Sequence, residues 1–329
     1  MEKQKNELLP FENKAGETTH YRSYIPSDFI LASLPLRDVK SPSFQRKMNN
    51  VELYITGSGN VPYGKYARLL LSVLTTHAVL QGEEKKDLVI NYDSMKSLTD
   101  EMLLPKQRGK DVKEQLMLFS FSSFQFRERI SEKVRRDKQT AYLFEELKTE
   151  DETLEMKWNS HGNIPFMNRL TWIDINETSG KKDTIASVNF AIELSQKFVE
   201  LCKEHSVPID YTVYSSIPSA LGKDLYCWLI YRNNCLGENG EIFVPRKSLL
   251  EQFYVKGKEE KDEDKTHLER AAYSRICDQL RIIKEKYYPG LKIEIDKNGN
   301  GVTLLKSPPV IQEKDKRYIL ITQDIIGIQ

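Results

Sequence analysis

Val61–Gln81 reads VPYGKYARLLLSVLTTHAVLQ, the most strongly patterned stretch of the chain. Tyr66, Leu69, Leu70, Val73, Leu74 and His77 recur at the i, i+3, i+4, i+7 spacing of one helix face. Leu71, Ala78 and Leu80 widen that face, so a core helix buried on most sides is expected. Pro62 and Gly64 mark its start, since a first turn tolerates the missing N–H of proline.

Gly59–Lys65 (GNVPYGK) also half-matches the phosphate-binding pattern G-x-x-x-x-G-K-[ST]. Such a loop needs free backbone N–H groups and a hydroxyl for magnesium. Pro62 removes one N–H and Tyr66 stands where Ser or Thr belongs. No strand ending in a convincing magnesium aspartate follows; Thr171–Asn176 (TWIDIN) is the nearest and a poor one. A turn leading into a core helix is the expected structure.

The 329 residues suffice for two ordinary domains. Lys and Arg number 49 against 48 Asp and Glu, so only local charge imbalance can speak of a partner. Cys202, Cys227, Cys235 and Cys277 lack metal-ligand or disulfide spacing, and free thiols are expected. No apolar signal-peptide centre and no apolar run of about 18 residues occurs, giving the expectation of a soluble cytoplasmic protein with no membrane partner.

Working outward, Val51–Ile55 alternates like a half-buried strand, while residues 1–30 lack periodicity and are expected to form a flexible tail. After the core helix come a β-prone run at Asp87–Asn91, a helix begun by Ser94, and a helix over Lys110–Phe119. An alternating strand follows at Ser122–Ile130, with its returning partner expected at Ser187–Leu194. That is the element order of a winged helix. The second half repeats it: helix at Ala220–Arg232, strand at Glu241–Val244, helix at Pro245–Tyr254, a charged linker at Lys256–Lys265, helix at His267–Tyr288, and a hairpin turning at Lys297–Gly301. The expected fold is α+β, predominantly helical, with two tandem winged-helix domains: 31–194, carrying a long charged insertion, and 195–311, with a tail at 312–329.

These segments resemble the plasmid-encoded RepA family of replication initiators. Leu34–Leu36 with Arg37 and VPYGKYARLLLSVLTTHAVL look like the family's PYG-x-x-x-RLLL-x-x-LTT signature. VPIDYTVYSSIPSALGKDLYCWLIYR from Val207, the LLEQF helix at Leu249 and GVTLLKSPP from Gly301 continue it in order, over about residues 31–311. The resemblance implies binding of repeats in double-stranded origin DNA, opening of the origin, recruitment of host helicase and initiator proteins in a bacterial cytoplasm, and a homodimer formed through the first domain. A winged-helix transcription regulator without replication activity is the alternative. His77 stands where the family often has Glu, and the 145–182 region looks like an enlarged insertion.

DNA binding calls for cations on phosphates and polar side chains that reach base edges. From Leu104 to Lys138 there are ten Lys or Arg against five acids, whereas Glu145–Glu155 holds six acids and one Lys. The expected contacts of the first domain are Lys106, Arg108, Lys110 and Lys113, with Arg127, Arg129, Lys133, Arg135 and Arg136 along its wing. Those of the second are Lys265, His267, Arg270, Ser274 and Arg281 on the recognition helix, Arg246 and Lys247 at the helix before it, and Lys297 and Asn298 at the hairpin tip. Arg275, in phase with the apolar residues, reads as structural. Phe121, Phe124 and Phe126 read as strand core or a subunit contact before a base-stacking surface. The five histidines are scattered and no H-x-H occurs, so neither a metal, a cofactor nor a catalytic residue is expected.

Overall fold

Where the sequence predicts a tail, the computed structural model has a strand, β1 (His20–Pro26), and a short helix, α1 (Ser27–Leu31). Residues 20–48, 51–80, 88–131, 156–160, 162–173, 189–254, 262–311 and 318–320 are described. The expectation of a tail fails from His20 onward because the polar residues here are satisfied internally. Ser23 is buried with its hydroxyl 2.8 Å from that of Ser72, and the Tyr24 N–H donates to the Thr76 hydroxyl at 3.1 Å. Buried polar groups persist when hydrogen-bonded, and apolar periodicity does not reveal such pairing.

Next come β2 (Ser43–Met48), β3 (Val51–Thr56), α2 (Gly64–Leu80), β4 (Leu88–Tyr92), α3 (Met95–Glu101) and α4 (Gly109–Ser120). The quoted stretch is thus the expected helix, with every residue from Ala67 to Thr76 buried. Ser94 caps α3, its hydroxyl accepting from the Ser97 N–H. His77 lies 2.7 Å from Glu101, which also accepts from the Tyr92 hydroxyl at 2.6 Å, so α2, α3 and β4 share one buried polar knot.

After α4 run β5 (Ser123–Ser131), β6 (Met156–Ser160), β7 (Ile164–Pro165), β8 (Met167–Ile173) and β9 (Asn189–Leu194). The predicted pairing of the Ser122–Ile130 strand with the Ser187–Leu194 strand is corrected: β5 lies between β3 and β6 in a sheet of order β2-β3-β5-β6, with β7 also on β5. Strand β9 instead lies between β4 and β8. The cause is the inner face of β5, where Phe124 and Phe126 pack edge-to-face on Phe29, each 5.0 Å away between centroids. Much of the 145–182 region lies outside the described residues, but Met156–Ser160 and Met167–Ile173 within it are sheet strands.

Then come α5 (Gln196–Glu204), β10 (Ser206–Asp210) and α6 (Tyr211–Ser216), followed by α7 (Ala220–Cys235), β11 (Glu241–Pro245), α8 (Arg246–Phe253), α9 (Asp262–Ile282), β12 (Ile293–Ile295), β13 (Gly301–Leu305) and β14 (Tyr318–Leu320). Helix α9 begins inside the stretch read as a charged linker. The stretch 262–265 forms its first turn. Strand β14, inside the stretch expected as a C-terminal tail, pairs parallel to β1, whose other edge pairs antiparallel to β10. With four sheets among the described residues the chain is mixed α and β, less dominated by helix than expected.

The two halves carry one topology. In the first, α2, β4, α3, α4, β8 and β9 give the sheet order β4-β9-β8; in the second, α7, β11, α8, α9, β12 and β13 give β11-β13-β12. Each is helix, strand, two helices and a hairpin whose last strand lies in the middle. The strands β5–β7 are inserted between the last helix and the hairpin of the first half.

The halves meet through α2 and α7 at a buried ion pair. Arg68 Nε and Nη2 donate to the two carboxylate oxygens of Asp224 at 2.6 and 2.7 Å. Its other donors go to the carbonyls of Pro35 at 2.9 Å, Gly64 at 2.8 Å and Leu34 at 2.6 Å, so all five guanidinium N–H groups are used. Ser33 donates to Asp224 at 2.8 Å, and buried Arg46 donates to the Ser33 carbonyl at 3.0 Å. Burial lowers Arg46 to about 10, with Asp224 opposing and Arg68 adding to the shift. Three pieces of the family-like signature, around Leu34, Arg68 and Asp224, therefore converge on one structural junction.

Beside it Lys223 is fully buried. Its ammonium donates to the Tyr214 carbonyl and, at 3.3 Å, to that of Ser215, and lies 4.6 Å from the Tyr214 ring centre. Burial holds its pKa well below the ordinary lysine value of 10.5. The unfolded chain therefore keeps this proton to higher pH than the folded one, and the contribution of Lys223 to stability grows as pH rises and is complete above 10.5. Urea unfolding of wild type and Lys223→Met, run from neutrality towards that value, should show the wild type gaining relative to the variant; parallel pH profiles would rule this out.

Candidate nucleic-acid interface

Helix α9 buries Ala272, Tyr273, Ile276, Cys277 and Leu280 and exposes His267, Arg270, Ala271, Ser274, Arg275, Asp278 and Arg281. His267, Arg270, Ser274 and Arg281 thus share one solvent-facing stripe. Arg275, expected to be structural, joins them. The core line steps through Ala272, Ile276 and Leu280, and Arg275 lies just off it, its Nε turned back to the Ala271 carbonyl at 3.3 Å. Sequence phase alone could not separate these neighbouring angular positions. Among the described residues Arg270 has no ion pair, whereas Arg281 is held by Asp278 at 2.7 Å.

Two other elements frame this stripe. The Arg246 guanidinium sits 4.9 Å from the Tyr273 ring centre, and the Arg246 N–H donates to the Asn300 carbonyl at 2.6 Å. Tyr273 in turn donates to the Gly301 carbonyl at 3.1 Å. A Cβ at Gly301 would lie 2.3 Å from the Val244 carbonyl oxygen, so a side chain there would push the hairpin off the end of β11. Lys247 is exposed and loosely paired with Glu251 at 3.9 Å. The hairpin turn is closed by Asp296, which accepts from the Asn300 N–H at 3.0 Å, and by Gly299 at φ 74, leaving Lys297 and Asn298 exposed at its tip.

The first half is more divided. Lys106, in the single 3-10 turn that leads into α4, and Lys110, in the first turn of α4, are exposed without an ion pair among the described residues. Arg108 lies 3.5 Å from Asp111. Lys113 rests on the Trp172 ring of β8 at 4.8 Å, which ties α4 to the hairpin sheet. Arg127 is not on that hairpin. It projects from β5, in the other sheet, and its guanidinium lies 4.9 Å from the Tyr54 ring centre. Arg129 is also in β5 and Lys265 in the first turn of α9, with side chains outside the described set; Lys133, Arg135 and Arg136 lie outside the described residues altogether. Phe124 and Phe126 are buried, while Phe121 is 59% exposed.

The GNVPYGK segment does not form a phosphate cradle. The Val61 N–H donates to Asn60 Oδ1, that of Tyr63 to Gln115 Oε1 and that of Gly64 to the Pro35 carbonyl, so three of the groups such a cradle needs are spent. Lys65 lies over the Tyr66 ring at 5.0 Å, and the cleft beside it mixes Arg37 and Arg108 with Asp38, Asp111 and Glu114. Among the described residues no group of three His, Cys, Asp or Glu is arranged to hold a metal, and no helix is long and apolar enough to cross a membrane.

No protein-family model matches this chain, and no curated protein does. Among solved structures it is similar to RctB domains 2 and 3 as a selenomethionine derivative, at 11% identity over 87% of this chain and 99% of that one, with a TM-score of 0.49. A second RctB domain 2–3 crystal structure gives 12% identity, 86% and 98% coverage and a TM-score of 0.46. The Pi initiator protein in complex with iteron DNA gives 13% identity, 87% and 97% coverage and a TM-score of 0.43.

Proposed function

We propose that this chain is a replication initiator that binds repeated sequences in origin DNA through two winged helices. The observation that carries this is the repeated topology, with strand order first-third-second in each half and exposed cations on the helix before each hairpin. Helix α9 enters a major groove with His267, Arg270 and Ser274 towards the base edges, while Lys297 and Asn298 hold the neighbouring phosphates. Arg246, fixed on Tyr273, and Lys247 add backbone contacts at the start of α8. Lys106 and Lys110 give the first half its grip. By its sequence resemblance the bound chain opens the origin, engages host helicase and initiator proteins, and forms a homodimer through its first half. It acts by binding, without a cofactor.

The test is plasmid maintenance. A plasmid carrying the chain's origin but no initiator should persist in cells supplying this protein and be lost from cells supplying an Arg270→Ala variant. Loss in both, alongside intact sequence-specific binding in vitro, would point to a transcription regulator instead. On the physical side, Lys297→Ala should weaken all duplexes alike and reduce the slope of log K against log salt by about one. An unchanged slope would remove Lys297 from the interface.

A further inference from the structure

The exposed stripe of α9 also carries information on what it reads. Among the described side chains of its first turns the outward polar ones are Thr266, His267, Arg270, Ser274 and Arg275, with the methyl of Ala271 between them. Two arginines are present and no asparagine or glutamine stands beside them. The helix's one glutamine, Gln279, is half-buried against α7, where it is bonded to the Ser219 hydroxyl at 2.7 Å. Asp278, the exposed carboxylate that could accept from a cytosine amino group, is occupied by Arg281 at 2.7 Å. The stripe is therefore rich in donors and lacks the paired donor and acceptor with which a side-chain amide reads adenine. Guanine, which presents two acceptors in the major groove, is the base that a guanidinium fork fits.

The spacing adds a second element. At about 1.5 Å per residue Arg270 and Arg275 are separated by about 7.5 Å along the axis, roughly two base-pair steps. At about 100° per residue they lie about 140° apart, on opposite flanks of a stripe whose middle holds His267 and Ser274. Flanking positions face opposite strands when the helix lies in the groove.

Resting on the reading of α9 as a DNA-recognition helix, we infer that Arg270 and Arg275 are a pair of guanine readers, selecting two G·C pairs about two steps apart with the guanines on opposite strands. Arg275 is then a specificity residue rather than a part of the fold.

The experiment selects duplexes from a random library with the full chain, then repeats the selection with Arg270→Ala and Arg275→Ala. Both positions are exposed, and thermal unfolding confirms that each variant is folded. The wild type should enrich a motif with the two G·C pairs, and each variant should relax one of them. Replacing each guanine by 7-deazaguanine in the selected duplex should weaken the wild type roughly ten-fold and leave the matching variant unchanged. An enriched motif without the paired guanines, or an Arg275→Ala variant that loses affinity equally for every duplex, overturns the inference while leaving the DNA-binding reading intact. Enrichment of no motif by the wild type overturns that reading too.

Discussion

Arg68→Ala is expected to cost about 3–5 kcal/mol of unfolding free energy, a large share of the roughly 5–15 kcal/mol that holds a typical chain folded. The loss arises from what remains. Asp224 would be left 8% exposed with its bidentate partner gone, and the carbonyls of Leu34, Pro35 and Gly64 would lose donors at the same moment. Asp224→Ala should cost a similar amount by stranding the guanidinium. The pair joins α2 to α7, so Arg68→Ala should also loosen the coupling between halves and broaden the urea transition. A double replacement, Arg68→Met with Asp224→Leu, should recover much of the loss, because uncompensated burial of charge is the main cost. Equilibrium urea unfolding of the three variants decides this. A loss below about 1 kcal/mol for Arg68→Ala would mean that water reaches the site and that the junction does not depend on the pair.

The second large effect is expected on binding. Arg270→Ala should reduce affinity for a selected duplex by about 1–3 kcal/mol while leaving affinity for random duplex nearly unchanged. The argument is positional. Arg270 is exposed on α9, has no ion pair among the described residues, and shares its face with His267 and Ser274. Removing it therefore leaves the fold intact and takes away a bidentate donor. Titrations of both duplexes at two salt concentrations separate the outcomes. Equal losses on both duplexes would make Arg270 a phosphate contact.

Much of the architecture was legible because it depends on local pattern. The apolar period of α2, the serine before α3, the proline before α8, and the positive-φ turn between β12 and β13 each constrain a few neighbouring residues. The exposed cations of α9 were legible for the same reason, apart from Arg275. What local pattern could not give was partner choice. Strand β5 alternates as a strand must, but nothing within Ser123–Ser131 says that it lies beside β3 rather than β9. The polar sequence of β1 reads as a tail until Ser72 and Thr76 of α2 are brought to its hydrogen-bonding groups.

By itself the sequence determined the principal helices, the hairpin of the second half and the cations on the helix before it, since these follow from helix and strand periodicity and from turn chemistry. Only the tertiary structure decided that Leu34, Arg68 and Asp224 form one buried junction, that Arg127 belongs to a different sheet from the hairpin, and that Arg275 faces solvent. The physical reason is range. Periodicity records how a residue sits relative to its neighbours in the chain, while desolvation and charge pairing are settled by groups more than a hundred residues away, as Arg68 and Asp224 are.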